Sequence, residues 1–148
     1  MVARDRQVAG RVEPSVSVLS KISGLDVMGA LDRLDGNMDL YLDILRLFAH
    51  NQASSAAQIE KGLNEGDMEL AEHMIHNLKG NADIIGAVII RDVALQLEKT
   101  IRQYGPTDKA RRIFEQLTHQ LEVFTLSLVQ ELPAARAAWS SSTEAHSR

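Results

Sequence analysis

The segment HMIHNLKGN, residues 73–81, concentrates the groups able to do chemistry: two of the five histidines, Lys79 and Gly80. A neutral imidazole, with an unperturbed pKa of about 6.5, is a competent nucleophile near neutral pH. A lysine three residues later on a helix lies within reach of a group attached to that ring, and its ammonium would offset negative charge there. Glycine is costly inside a helix, by roughly 1 kcal/mol against alanine, so its presence asks for a reason. The absence of cysteine excludes thiol nucleophiles and disulfides.

Helical geometry says where these groups point. At about 100° per residue, Ala71, Met74, Ile75, Leu78, Ala82 and Ile85 cluster on one side, which must face a core. His76 falls about 140° from Ala71, Lys79 near 80°, Asp83 near 120° and Gly80 near 180°. The histidine is therefore expected on the solvent side, with the glycine opposite the core. Packing does not explain a glycine there, but access does: without a side chain, another protein's surface can approach the imidazole closely.

The elements that must carry this strip are helical throughout. GLDVMGALDRL (24–34) reads as a short first helix ending near Gly36. A long helix then runs from about Met38 to Leu63 with Asn37 as N-cap, its stripe including Tyr41, Ile44, Leu45, Phe48, Ala56 and Ile59. Asp67 caps the next, which runs to about Ile85 and stops at Gly86. A third stripe, Ile90, Val93, Ala94, Leu97, Ile101 and Tyr104, is stopped by Gly105-Pro106. Phe114, Leu117, Leu121, Phe124 and Leu128 form the last seam. Four long helices with short connections are expected to pack as an all-α, up-down-up-down antiparallel four-helix bundle with a short additional N-terminal helix.

Residues 22–132 are expected to form this bundle, after a flexible leader (1–21) and before a flexible, serine-rich tail (133–148). Leader and tail point to a free-standing chain or a C-terminal piece of a larger one. A net charge of −4 with acids and bases interspersed gives no basic field for nucleic acid. No run of about 18 apolar residues would span a membrane. The opening MVARDRQVAGRVEPS lacks a secretory segment, so the cytoplasm is the expected compartment.

The run His76-Asn77-Leu78-Lys79-Gly80 resembles the H-x-L-K-G phosphoacceptor motif of histidine-containing phosphotransfer (HPt) domains, of the hybrid-sensor-kinase and phosphorelay type. The resemblance extends over about residues 22–130. Gly86-Ala87, then Ala94 with Leu97-Glu98, match the family downstream of the motif, and LDRLDGNMDLYLDILRLF matches it upstream. It implies a bundle in which His76 accepts a phosphoryl group from a receiver-domain aspartate and passes it to another receiver. Lys79 would stabilise the phosphoryl charge and Gly80 would admit the receiver. Partners would be receiver domains of response regulators, a hybrid sensor histidine kinase, or both, and the chain would be a monomer. No cofactor of its own is implied, Mg²⁺ belonging to the receiver. No Walker-type phosphate loop is present, so autokinase activity is not expected. Ile84 stands where many members carry Asn, and Asn81 and Asp83 replace small residues, differences that border the docking surface.

Two rival readings remain. His73 and His76, three apart, could share a metal, but a closed site usually needs four ligands and His50, His119 and His146 have unrelated spacing. The same strip could also dock a partner as a non-catalytic interaction module.

Overall fold

A computed structural model describes the backbone of residues 14–147 and the side chains of residues 14–141. It contains α1 (Pro14–Leu19), α2 (Val27–Arg33), α3 (Met38–Glu65), α4 (Met68–Ile85), α5 (Val88–Tyr104) and α6 (Asp108–Ser147). Among the described residues the only β pairing is one isolated bridge, Leu25 to Ala87.

Local chemistry sets the boundaries. The side chains of Asp26, Asn37 and Asp67 each accept from an amide three residues on, at 3.0, 3.0 and 3.1 Å, satisfying donors that a helix start leaves free. Gly66 and Gly86 end α3 and α4 in the left-handed conformation, at φ 73° and 82°, which costs glycine nothing. Only Gly66 and Asp67 separate α3 from α4, and only Gly86 and Ala87 separate α4 from α5. Connections that short make sequence neighbours into packing neighbours.

Cross-links join opposite ends of these helices. Tyr41, early in α3, donates to the Ile85 carbonyl at the end of α4, at 2.9 Å. Arg102, late in α5, reaches Glu72, early in α4, at 3.3 Å. Arg111, early in α6, donates to the Leu63 carbonyl at the end of α3, at 3.0 Å. Each long helix packs on the next, and α6 closes on α3. Leu45, Ile59, Ile75, Leu97, Leu117 and Leu121 are fully buried between them, each worth roughly 1.5–3 kcal/mol against exposure. Phe48 and Phe124 meet edge-to-face at 5.8 Å.

Three expectations are corrected. The leader, expected to reach residue 21, is cut short by α1, which begins at Pro14, packs on α6 and buries Val16 and Leu19; residues 1–13 lie outside the described residues. The tail, expected to leave the bundle at Pro133, does not, because α6 continues through it. Pro133 sits on the exposed side, where water can take up the carbonyl its missing N–H leaves free. Beyond it Ala135 is buried, Arg136 pairs with Asp43 at 2.8 Å and the Trp139 indole donates to Asp39 at 2.6 Å, fastening the extension to α3. Tyr104, assigned to the α5 stripe, is 60% exposed: the buried stripe ends one turn earlier, at Ile101.

Candidate functional site

Helix α4 places its chemistry as the helical period requires. Ala71, Ile75, Leu78, Ala82 and Ile85 are buried, Met74 is half-buried, and His76 points outward with 63% of its side chain exposed. Gly80 is exposed, and a β-carbon there would meet nothing within 4 Å. Open space therefore lies one turn beyond the imidazole.

The residue that organises the site is Glu98 of α5, whose side chain is only 2% exposed. One carboxylate oxygen, Oε2, lies 3.2 Å from His76 Nδ1, and the other, Oε1, accepts from Lys79 Nζ at 2.7 Å. Arg102, one turn further along α5, places Nη2 3.3 Å from Oε2 and Nε 3.3 Å from Glu72. Burial pushes the Glu98 carboxyl up. Hydrogen bonds from Lys79 and His76, with the Lys79 and Arg102 charges, outweigh burial and hold it below the ordinary carboxylate range.

This geometry has a chemical consequence for the ring. An ionised carboxylate can only accept, so Nδ1 carries the hydrogen that points at Glu98. In the neutral imidazole the lone pair then resides on Nε2. The lysine is not free: it is 25% exposed and paired with Glu98, while the nearby acids Asp83 and Glu72 pair with Arg91 and Arg102. The sequence named Glu98 only within the Leu97-Glu98 match to the family and gave it no role in the site. Its one local signal of pairing was Arg102 four residues later, a spacing that forms ion pairs on any helix.

The end of α4 is braced from outside. Arg33 donates to the Asp83 carbonyl at 2.6 Å, and the buried Tyr41 hydroxyl, pushed up by burial and so kept as a donor, bonds to Ile85. Gly86 abuts the Asp26 backbone so closely that a β-carbon would overlap it, and the Asp26 amide donates to the Gly86 carbonyl at 2.7 Å. That approach, with the positive φ, accounts for the glycine of the Gly86-Ala87 pair.

His73 is exposed and contacts Asn77 at 3.3 Å, while His50 and His119 lie on α3 and α6. Among the described residues, no three His, Cys, Asp or Glu side chains are grouped to hold a metal ion. On the other flank of α4 a groove of about 170 Å³ opens against α3, lined by Leu47, Phe48, Asn51, Leu78, Asn81 and Ile84. Leu47 is 56% and Ile84 48% exposed, so an apolar surface begins beside Gly80. No described helix is long and apolar enough to cross a membrane.

Comparison with known proteins agrees with this arrangement. No curated protein matches the chain in sequence. The crystal structure of histidine-containing phosphotransfer protein B (HptB) from Pseudomonas aeruginosa PAO1 is similar in fold, with a TM-score of 0.67 and 22% identity, over 76% of this chain and 96% of that one. The family model of the Hpt domain matches residues 43–137, a span that includes His76, Lys79, Gly80 and Glu98. With more than half of its length matched, the chain belongs to the Hpt domain family.

Proposed function

We propose that this protein is a phosphorelay intermediate in which His76 accepts a phosphoryl group from the aspartate of one receiver domain and gives it to the aspartate of another. The observation that carries the reading is an exposed imidazole whose Nδ1 is engaged by a buried carboxylate, leaving Nε2 with its lone pair beside an open glycine. Phosphoryl transfer asks little of a protein beyond alignment of nucleophile and donor and compensation of charge. Lys79 supplies the site's cation, and Gly80 the room for a receiver to bring its phosphoaspartate in line. The apolar surface at Leu47 and Ile84 is the ground on which that receiver rests.

The scaffold in this reading is an up-down-up-down bundle of α3 to α6, with antiparallel neighbours, supported by the cross-links between opposite helix ends. The chain works as a cytoplasmic monomer without autokinase activity, cofactor or nucleic-acid partner. Its partners are response-regulator receivers, a hybrid sensor histidine kinase, or both, with Mg²⁺ held by the receiver.

Incubation with a phosphorylated receiver tests this directly. The chain should acquire an acid-labile, alkali-stable phosphate, and His76→Gln should abolish labelling while leaving helical content unchanged. Receiver binding without phosphate on the chain would favour a non-catalytic docking module instead.

A further inference from the structure

The last turn of α4 carries Ile84, one turn beyond Gly80 and about 12 Å along the helix axis from His76. A helix end leaves its last four carbonyls without partners of its own, and such turns fray unless other groups meet them. Here the chain reversal meets two: the Gly86 amide donates to the Asp83 carbonyl at 3.2 Å and the Ala87 amide to that of Ala82 at 2.8 Å. The Ile85 carbonyl accepts from the Tyr41 hydroxyl. Arg33 spans the remaining stretch, its Nη2 lying 2.6 Å from the Asp83 carbonyl oxygen and 3.5 Å from that of Ile84.

Charge points to the same residue. The carbonyl end of a helix favours a cation and disfavours a carboxylate. The last turn of α4 holds no basic residue, and it carries the Asp83 side chain, 57% exposed. Arg91 of α5 pairs with that carboxylate, whereas Arg33, at the end of α2, brings its cation to the backbone itself. Helix α2 is also anchored at its start, where the Asp26 amide donates to the Gly86 carbonyl at 2.7 Å and the Val88 amide to that of Gly24 at 3.0 Å. This seven-residue helix therefore grips the end of α4 from both of its own ends. Asp26, Arg33 and Tyr41, the distant groups of the grip, all precede the span 43–137 matched by the Hpt model.

We propose that Arg33 is a positioning residue for receiver docking, holding the last turn of α4 so that Ile84 is presented already ordered beside the open space at Gly80. Ile84 is 48% exposed and belongs to the apolar surface on which the receiver rests, so the inference rests on the phosphorelay reading. A surface that must first be ordered binds more weakly than one already in place. Loss of Arg33 therefore falls on the encounter with a receiver and not on the chemistry at His76. Phosphoramidate, a small-molecule phosphoryl donor to histidine, separates the two, because it needs no docking surface.

Arg33→Met should raise the KM for a phosphorylated receiver by roughly three- to tenfold and leave labelling by phosphoramidate at the parent rate. Arg33→Lys, which keeps a cation against the helix end, should recover most of the loss. In an Ile84→Ala chain the same Arg33→Met change should cost less than about twofold, because the residue it positions is gone. An equal loss in both backgrounds would overturn the proposal and make Arg33 a direct contact of the receiver. Equal slowing with phosphoramidate would overturn it too, since Arg33 would then support the bundle as a whole. Amide hydrogen exchange in the unphosphorylated chain reads the grip without any partner. Arg33→Met should quicken exchange at Gly86 and Ala87 by about three- to tenfold and leave Ile75 and Leu78 unchanged. Parent-like exchange at Gly86 and Ala87, or quickening along all of α4, contradicts the assignment. Labelling by phosphoramidate but by no receiver tells against the phosphorelay reading and leaves hydrogen exchange to judge Arg33.

Discussion

Gly62 and Gly80 both interrupt long helices, and their surroundings are opposite. A β-carbon on Gly62 would stand 2.9 Å from the Ala71 amide nitrogen and 2.9 Å from the Asp67 carbonyl oxygen, backbone atoms that cannot swing aside. The missing side chain lets the end of α3 lie against the start of α4, and the Gly62 carbonyl also accepts from the Asp67 amide at 2.9 Å. At Gly80 the same missing atom touches nothing. Each glycine costs the helix about 1 kcal/mol against alanine, but only at Gly62 does a contact within the chain offset that cost. One vacancy serves the fold; the other, on the proposed function, is there to admit a receiver.

Substitution at the two sites should separate them in a fixed order of size. The greatest change is expected from Gly80→Gln, which projects a side chain beside His76. Transfer from a phosphorylated receiver should fall by about tenfold or more through misplacement of the reacting groups, while the melting temperature stays level or rises. Parent-like transfer would remove the access argument; an unfolded variant would show that the glycine is packed after all. Next comes Gly62→Ala, where overpacking outweighs the gain in helix propensity. Urea unfolding should reveal a net loss of roughly 1–2 kcal/mol, with transfer per folded molecule unchanged. Gly80→Ala should do the reverse, gaining up to about 1 kcal/mol in the same assay.

A slighter change is expected in the pH dependence of stability and concerns the seam between α4 and α5. Glu98 is held below its ordinary value of 4.5 in the folded chain, so its contribution is fully present above that value. It is lost as pH falls through the depressed folded value. The stability of the parent relative to Glu98→Gln should therefore be flat above about pH 5 and decline at more acid pH. A parent advantage that grew on acidification would mean the carboxylate is destabilised by its burial rather than held ionised by its partners.

Much of the scaffold was legible in the sequence because its signals are local. Asn37 and Asp67 cap helices that they directly precede, Gly86 ends α4 where its period stops, and the outward angle of His76 comes from counting residues. What escaped depends on contacts between distant segments. Helix α1 is six residues long, too short to show a period, and exists as a buried element because α6 passes beside it. Pro133 reads as a stop, yet the helix continues because Arg136 and Trp139 find Asp43 and Asp39 on α3. Glu98 looks like an ordinary charge beside the α5 stripe. Its partners Lys79 and His76 lie nineteen and twenty-two positions away, and no periodicity within α5 encodes that.

Everything proposed for this site turns on Nε2 of His76 as the atom that receives the phosphoryl group. The decisive measurement is to label the parent chain from a phosphorylated receiver and record ³¹P and ¹⁵N spectra of the product. Phosphorus should be bonded to Nε2 of His76, with a hydrogen retained on Nδ1 facing Glu98. Phosphorus on Nδ1, on His73, or on no histidine at all would contradict it.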